Sequence, residues 1–341
     1  MDYLTKRIDS KEVLWFKKSN KYLVFEPEFY EFFKRFNRDT RESVEKYLFD
    51  ELGLSSPEIS NLHSTYQRIK QQVSVIDEPL VNKKKVSSSV KWYKTCTYLV
   101  YGFHIKIRYS SYYVNELMHP KFAHLQCENS IKTDSIIDVI EEGENLFLRL
   151  NNSLVETRNK KEVHFLQCKF AMLLLNITHN KIDSNWMAVL HASAVHKNNK
   201  ALIFIGESGR GKSTASTLLT LNGYDLLADD FVPLESSSKQ VYSFPAAISV
   251  KEHLLESMQS FFPQLDQSEL RYKNENINYK YLYLSKLQST PVCLSNKTLI
   301  FIKYKQGAEL SLKKIETIKA LEHLIPDSWI SPLEQNVERF L

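Results

Sequence analysis

A glycine-rich stretch of the sequence combines the residue types that phosphate binding requires. In order, it contains Gly206, Glu207, Ser208, Gly209, Arg210, Gly211, Lys212 and Ser213. This order fits the pattern GxxxxGK[ST], in which glycines let successive backbone N–H groups point at one phosphate while the following helix adds its positive dipole. The stretch therefore predicts a nucleotide-binding loop, here called the P-loop, in which Lys212 reaches the β- and γ-phosphates and the Ser213 hydroxyl ligates Mg²⁺.

The P-loop stands between segments that predict a strand and a helix. The apolar run 201–205 precedes it, and a helix-compatible run that starts at Thr214 follows it up to the pair Asn222 and Gly223. Thr214 completes the predicted set of nucleotide-binding residues. The chain has only 8 glycines and places three of them in this loop, which indicates a backbone requirement there. The alternative, a glycine turn without a ligand, needs neither the lysine nor the serine.

Two adjacent carboxylates, Asp229 and Asp230, end the next apolar run, and Asp230 follows Lys212 by 18 residues. Side chains at the carboxyl ends of strands in a parallel sheet share the crevice where the ligand lies, so we expect both beside the nucleotide phosphates. One is suited to hold metal and the other to accept a proton from an attacking hydroxyl. A solvated Asp-Asp turn after the strand is the alternative.

His191 lies 21 residues before Lys212, within the run 189–195 that predicts a strand. Histidine titrates near neutral pH and is often used in catalysis. On an apolar strand, however, it is more often a hydrogen-bonded core residue, and the pattern alone leaves both interpretations open.

Together these features resemble the catalytic domain of the bacterial HPr kinase/phosphorylase family and its related serine kinases, a domain akin to phosphoenolpyruvate carboxykinase. The family segment has a histidine before a strand, then a G-[DE]-S-G-x-G-K-S loop, a helix, a glycine and an A-D-D strand end. The corresponding residues are His191, the P-loop, Gly223 and Ala228-Asp229-Asp230, without insertion or deletion. The specific match spans residues 191–235, and a looser one covers 92–330.

The resemblance implies an α/β P-loop kinase domain of the HPr kinase/phosphoenolpyruvate carboxykinase type that uses ATP and Mg²⁺. It implies that Asp230 is the general base for a substrate serine hydroxyl and that His191 pairs with this acidic site. Lys212 and the loop amides would hold phosphates, and we assign the metal to Ser213 and Asp229.

Lys251 ends the stretch 244–251, F-P-A-A-I-S-V-K, which is similar to the F-P-x-x-I-S-x-K stretch of the related kinases. The resemblance implies that Lys251 lies near the transferred phosphate or the acceptor peptide, and the alternative is a solvent-facing lysine at a helix start.

The sequence departs from the HPr enzyme at Thr214, where that enzyme usually has glutamate. We also identify neither its Mg²⁺-binding glutamate nor its basic phosphorylase signature. The acceptor and any phosphorylase activity therefore stay open. The related kinases also tend to run on beyond the position of Leu341, which falls within a predicted helix.

The N-terminal part, residues 1–76, predicts a small winged-helix-like α+β domain. Runs 13–16 and 22–25 predict a hairpin, and helical spacing of apolar residues predicts three helices after it. With its Phe25-Glu26-Pro27-Glu28 turn and Phe36-Asn37, this part resembles PqqD-like peptide-recognition domains, which bind a leader peptide as an added strand. A generic winged-helix docking domain is the alternative. Residues 77–90 predict a linker, and 91–341 the catalytic domain with its nucleotide core at 188–250.

The composition fits a globular protein, with 43% hydrophobic and 25% charged residues. No run reaches the roughly 18 uninterrupted apolar residues of a membrane span, and the first residues show no signal peptide. The cysteines form no CxxC pair, which argues against a structural zinc site or a disulfide framework. The net charge of +5 is too diffuse to indicate nucleic acid. These properties predict a cytoplasmic protein without membrane or nucleic-acid partners.

The sequence therefore favours a serine kinase that transfers the γ-phosphoryl group of ATP to a peptide or small protein, with the acceptor docked on residues 1–76. Three alternatives stay open: a P-loop NTPase that only hydrolyses nucleotide, a small-molecule kinase that uses the same site, and a nucleotide-sensing adaptor without turnover.

Overall fold

The computed structural model describes residues 1–75, 89–128, 132–274, 277–284 and 290–341, and the predicted linker falls almost wholly outside them. Within the described residues the helices are α1 (Pro27–Arg38), α2 (Arg41–Asp50), α3 (Ser56–Ser74), α4 (Tyr112–Phe122), α5 (Val163–His179), α6 (Lys212–Thr220), α7 (Glu252–Gln259), α8 (Thr317–Leu324) and α9 (Glu334–Phe340). No helix in these ranges has both the length and the apolar content needed to cross a bilayer.

The strands are short and numerous. They are β1 (Tyr3–Ile8), β2 (Lys11–Phe16), β3 (Lys21–Phe25), β4 (Lys94–Val100), β5 (Phe103–Tyr109), β6 (Gln126–Cys127), β7 (Ser135–Glu142), β8 (Asn145–Leu150), β9 (Ser153–Asn159), β10 (Trp186–Leu190), β11 (Ser193–Lys197), β12 (Lys200–Ile205), β13 (Asp225–Asp229), β14 (Val232–Glu235), β15 (Val241–Tyr242), β16 (Ile248–Lys251), β17 (Arg271–Asn274), β18 (Ile277–Leu282), β19 (Cys293–Leu294), β20 (Lys297–Phe301) and β21 (Ser328–Ile330). The architecture is mixed α/β with several sheets.

The chain divides into two units, and both are discontinuous in sequence. The first comprises Met1–Glu78, Leu310–Pro326 and Pro332–Leu341, and the second comprises Pro79–Glu309 and Asp327–Ser331. The prediction had placed everything after residue 91 in the catalytic domain. The structure instead groups α8 and α9 with the N-terminal residues, because their apolar faces pack there.

The first unit is built on an antiparallel sheet in the order β1-β2-β3, and its predicted hairpin and three helices are confirmed. Leu14 and Phe16 of β2 pack with Phe33 of α1 and Tyr66 of α3. The neighbouring Val13 points to the other face, because side chains alternate along a strand, and there it packs against α8. The central strand is thus buried on both faces, which explains why the helical layer from the C-terminal end is needed.

In the second unit, a six-stranded sheet in the order β6-β4-β5-β7-β8-β9 packs against α4 and α5. The mostly apolar segment that begins at Val163 forms α5. A five-stranded sheet has the order β19-β15-β14-β10-β21, and a three-stranded one the order β16-β18-β17. Several side chains that reach the P-loop lie at or next to the ends of strands in these two sheets.

The four-stranded sheet that carries the P-loop has the order β13-β11-β12-β20. β11 is antiparallel to both β12 and β13, while β20 is parallel to β12, so the sheet is mixed and not the parallel sheet that was assumed in placing the two aspartates. Nevertheless β12, β13 and β20 all run in the same direction, and their carboxyl ends meet at one edge. The aspartates at the end of β13 therefore lie at the same end of the sheet as the P-loop, although the sheet is mixed.

The predicted strand 189–195 is wrong as a single element. It is two strands that belong to different sheets, β10 in the five-stranded sheet and β11 in the four-stranded one. A tight turn separates them, in which the Ala192 N–H donates to the Leu190 carbonyl at 2.9 Å. His191 occupies this break and is therefore not a strand residue.

Candidate functional site: a P-loop with two aspartates

The P-loop connects the end of β12 to the start of α6. Gly211 adopts a left-handed conformation, with φ of 96°, immediately before the helix begins at Lys212. The first turn of a helix has N–H groups without intrahelical acceptors, and these are suited to anions. At the other end of the loop, a Cβ atom on Gly206 would lie 2.8 Å from the Ile302 carbonyl oxygen, so only glycine fits there.

The Lys212 side chain is buried within the loop. Its Nζ donates a hydrogen bond of 2.6 Å to the carbonyl oxygen of Gly206, at the start of the same loop. Burial lowers the pKa of Lys212, and the nearby carboxylates of Asp230, Asp327 and Asp229 oppose that shift. The ammonium group thus lies where a phosphate bound to the loop would meet it.

Ser213 and Asp229 are joined directly. The Ser213 hydroxyl donates to Oδ1 of Asp229 at 2.8 Å. Asp229 is fully buried, and its Oδ2 has no hydrogen-bond partner among the described residues. Burial raises the pKa of Asp229, and the adjacent carboxylate of Asp230 raises it further.

These oxygens fit Mg²⁺. A hydroxyl and a carboxylate with an unpaired oxygen are hard donors of the kind this cation prefers, and Mg²⁺ usually keeps several waters and binds substrate phosphates as well. Within the described residues, no three His, Cys, Asp or Glu side chains are grouped closely enough to hold a metal by themselves. The predicted ligands Ser213 and Asp229 would therefore share the cation with phosphate and water oxygens.

Asp230 differs from its neighbour in conformation and in charge. Its φ of 61° is left-handed, a conformation that aspartate tolerates better than most residues. Lys121 Nζ lies 3.4 Å from its Oδ2, and 31% of the Asp230 side chain stays exposed. Burial acts to raise the pKa of Asp230, but Lys121, His191 and Lys212 outweigh it and the pKa is lowered. Asp230 is thus held in the form that accepts a proton.

His191 lies beside this carboxylate. Burial lowers its pKa, Asp230 and Asp327 oppose the shift, and Lys212 and Lys121 add to it. The pairing of Leu190 with Ser328 in the antiparallel β10–β21 ladder brings Asp327, the residue just before β21, next to His191. The structure therefore brings His191 to the acidic site, as the resemblance implied, and adds a third carboxylate.

Lys251 reaches the P-loop from another sheet. It ends β16 and immediately precedes α7, so the predicted helix start is confirmed. Its Nζ lies 3.7 Å from the position of a Cβ atom on Gly209, and its charge contributes to lowering the pKa of Lys212. A lysine in this position can meet a phosphate at the mouth of the loop.

The remaining predicted loop residues lie at the solvent side. Arg210 pairs with Glu207 at 2.8 Å, and Ser208 is exposed between them. Thr214 is half-buried in the first turn of α6. Among the described residues, none of these side chains forms a hydrogen bond with Asp229 or Asp230. Their predicted role in nucleotide binding is therefore supported only by their position in the loop.

The sequence reasoning missed Lys121 and Asp327. Lys121 lies 109 residues before Asp230 and belongs to α4, next to Pro120 in a helix without a recognisable motif. Asp327 immediately precedes the short strand β21, in the C-terminal segment of the second unit. Only tertiary structure places them at the P-loop, and the sequence carried no spacing signal for either.

Comparison with known proteins adds no family to this description. No protein-family model matches the chain, and no curated protein matches it. The interpretation of the site therefore rests on its own geometry and on the resemblance of residues 191–235.

Proposed function

We propose that this protein is a kinase that transfers the γ-phosphoryl group of Mg²⁺-ATP to a serine hydroxyl of a peptide or small protein, as an HPr-kinase-like enzyme. One observation carries the proposal: Lys212, the Ser213–Asp229 pair and the ionised Asp230 meet at the mouth of one P-loop. Phosphoryl transfer needs positioning and charge neutralisation more than covalent chemistry, and these groups supply both.

Each residue has a separate task in this proposal. The P-loop amides and Lys212 bind and orient the phosphates, while Lys251 approaches them from the side of Gly209. Ser213 and Asp229 would hold Mg²⁺, which neutralises charge on the β- and γ-phosphates when bound. Asp230 takes the proton of the acceptor hydroxyl as its oxygen bonds to the γ-phosphorus and the bond to the bridging oxygen of ADP breaks. His191, which is half-buried and has a pKa lowered by burial, would orient Asp230.

The acceptor would dock on the first unit. Its sheet ends at β1 on one side and β3 on the other, and edge strands can accept an extended peptide as a further strand. Support for this part comes from the winged-helix-like arrangement of a hairpin and three helices. It is a separate proposal from the chemistry, because the second unit contains every residue of the P-loop site.

The test is a transfer assay with γ-labelled ATP, Mg²⁺ and a library of serine-containing peptides, with wild type, Asp230→Asn and Asp225→Asn. Asparagine keeps the left-handed backbone at position 230, so Asp230→Asn removes only the base. We expect it to lower kcat by about 10²- to 10⁴-fold while ATP binding persists. Asp225, at the opposite end of β13, is the matched control and should leave kcat unchanged.

Two results would overturn the proposal. One is an unchanged transfer rate in Asp230→Asn, which would show that Asp230 is not the general base. The other is hydrolysis of ATP by the wild type with no labelled peptide, which would favour an NTPase. Label recovered on a metabolite extract instead of peptides would assign the same site to a small-molecule kinase.

A further inference from the structure

The segment Ile302, Lys303 and Tyr304 runs along the outside of the P-loop. It follows β20, and the N–H of Ile302 donates to the carbonyl of Ile205 at 2.8 Å, just before the loop begins. The N–H of Tyr304 donates to the carbonyl of Arg210 at 3.4 Å, near the end of the loop. The segment is thus fixed to the P-loop at both ends.

Tyr304 presents an aromatic ring to solvent beside the start of α6. Its own Cβ lies 3.6 Å from the position of a Cβ atom on Gly211, the residue before the helix. Despite this anchored backbone, 68% of Tyr304 is exposed, and Lys303 and Lys305 on either side of it are exposed as well. A large ring held here contributes little to the core and is available to a ligand.

The order of the sheet decides which part of a nucleotide would meet this ring. Asp229 ends β13 and Asp230 follows it, whereas Tyr304 follows β20, and these two strands form the opposite edges of the sheet β13-β11-β12-β20. The P-loop follows β12 between them. The γ-phosphate must face Asp230 for transfer, so the α-phosphate, the ribose and the base extend toward the β20 side.

We propose that Tyr304 is a base-binding residue, whose ring stacks on the purine of the nucleotide held by the P-loop. The inference rests on the proposed function, since it presumes phosphates in the loop. Stacking between an aromatic side chain and a base is favourable and tolerates different bases, because every base has a π-face. The contact therefore adds affinity for a nucleoside triphosphate without adding affinity for its phosphates alone.

The test compares two probes, Mg²⁺-ATP and Mg²⁺-tripolyphosphate, by calorimetric titration of the full chain. In Tyr304→Ala we expect ATP to bind about 10-fold more weakly and tripolyphosphate to bind as in the wild type. Tyr304→Phe keeps the ring and should bind ATP with the affinity of the wild type. Tyr112→Ala is the matched control, because Tyr112 is similarly exposed (62%) at the start of α4 and should not change either affinity.

The outcomes separate this inference from the proposed function. If Tyr304→Ala binds ATP as the wild type does, the stacking inference is wrong and the kinase proposal is untouched. If the variant loses affinity for both probes equally, the ring shapes the loop and does not contact a base, which also overturns the inference. If the wild type binds neither probe, the P-loop assignment fails and both proposals fail with it.

Discussion

Two neighbouring aspartates at the end of β13 differ in their affinity for a proton. Burial and the adjacent charge raise the pKa of Asp229, whereas Lys121, His191 and Lys212 lower that of Asp230 against the effect of its burial. The two side chains have different surroundings: Asp229 accepts a hydrogen bond from Ser213, whereas Asp230 lies beside Lys121. Environments that push the pKa values of two carboxyls apart are how one site assigns separate roles to chemically identical groups.

The first prediction at this scale concerns Lys121. Lys121→Gln removes the cation that lowers the pKa of Asp230. The pKa of Asp230 should therefore rise, and as the pH falls the carboxylate should become protonated at a higher pH than in the wild type. We expect the acid limb of the pH profile of kcat/KM to move upward by about one pH unit, with a smaller loss of rate at pH 9 than at pH 6. Steady-state kinetics across this range measures the shift.

Two further variants give this prediction its controls. Lys121→Arg keeps the charge and should keep the wild-type profile. Lys169 is as exposed as Lys121 (25%) and pairs with Asp183 at 2.6 Å, so Lys169→Gln removes a similar ion pair away from the P-loop. A shift of equal size in Lys169→Gln would show that the effect is not local to Asp230.

At the scale of elements, the P-loop depends on the close approach of β12 and β20. These parallel strands leave their sheet side by side, and the Ile302 carbonyl after β20 lies against Gly206 after β12. This contact is possible because Gly206 has no side chain. The position of the loop is therefore set by two strands that lie far apart in sequence.

The prediction that follows is for Gly206→Ala. A Cβ 2.8 Å from backbone oxygen forces the two strand ends apart, so we expect nucleotide affinity to fall by about 10-fold or more and the melting temperature to fall. Gly307→Ala is the control: its φ of 73° is also positive, but its added Cβ meets open space. Equal affinities of the two variants for ATP would contradict the steric argument.

The sequence predicted the local parts of the site and missed the distant ones. The P-loop, its strand and its helix were predictable because the glycines, Lys212 and Ser213 are contiguous. The break at His191 was not, because an unbroken apolar run carries no sign that its two halves join different sheets. Asp327 reaches His191 through strand register, which depends on pairing between residues far apart in the chain.

At the scale of the whole molecule, the first unit is completed by residues from the other end of the chain. Ile318 and Leu321 of α8 pack with Ile8 and Val13, and the Asp9 carboxylate accepts the Ile318 N–H at 2.9 Å. This packing could not be predicted from the sequence, because an amphipathic helix does not specify which sheet face it covers.

The prediction at this scale is for Leu321→Ala. Removing a buried leucine side chain leaves a cavity beside β2, so the free energy of unfolding of the first unit should fall by about 2–5 kcal/mol. Hydrogen exchange of the amides in β1 and β2 should speed up accordingly. The control is Lys319→Ala on the exposed face of the same helix, for which we expect a change within about 0.5 kcal/mol. Slow exchange in β1 and β2 of Leu321→Ala would contradict the packing.

The five residues Asp327–Ser331 belong to the second unit, yet the chain on both sides of them belongs to the first. Each unit is therefore encoded in alternating blocks of the gene, and no single recombination breakpoint can transplant either one intact. Exchange of the first 78 codons would deliver the first unit without its C-terminal helices. Inherited changes in either unit would then have to arise by substitution within the chain and not by exchange of a contiguous segment.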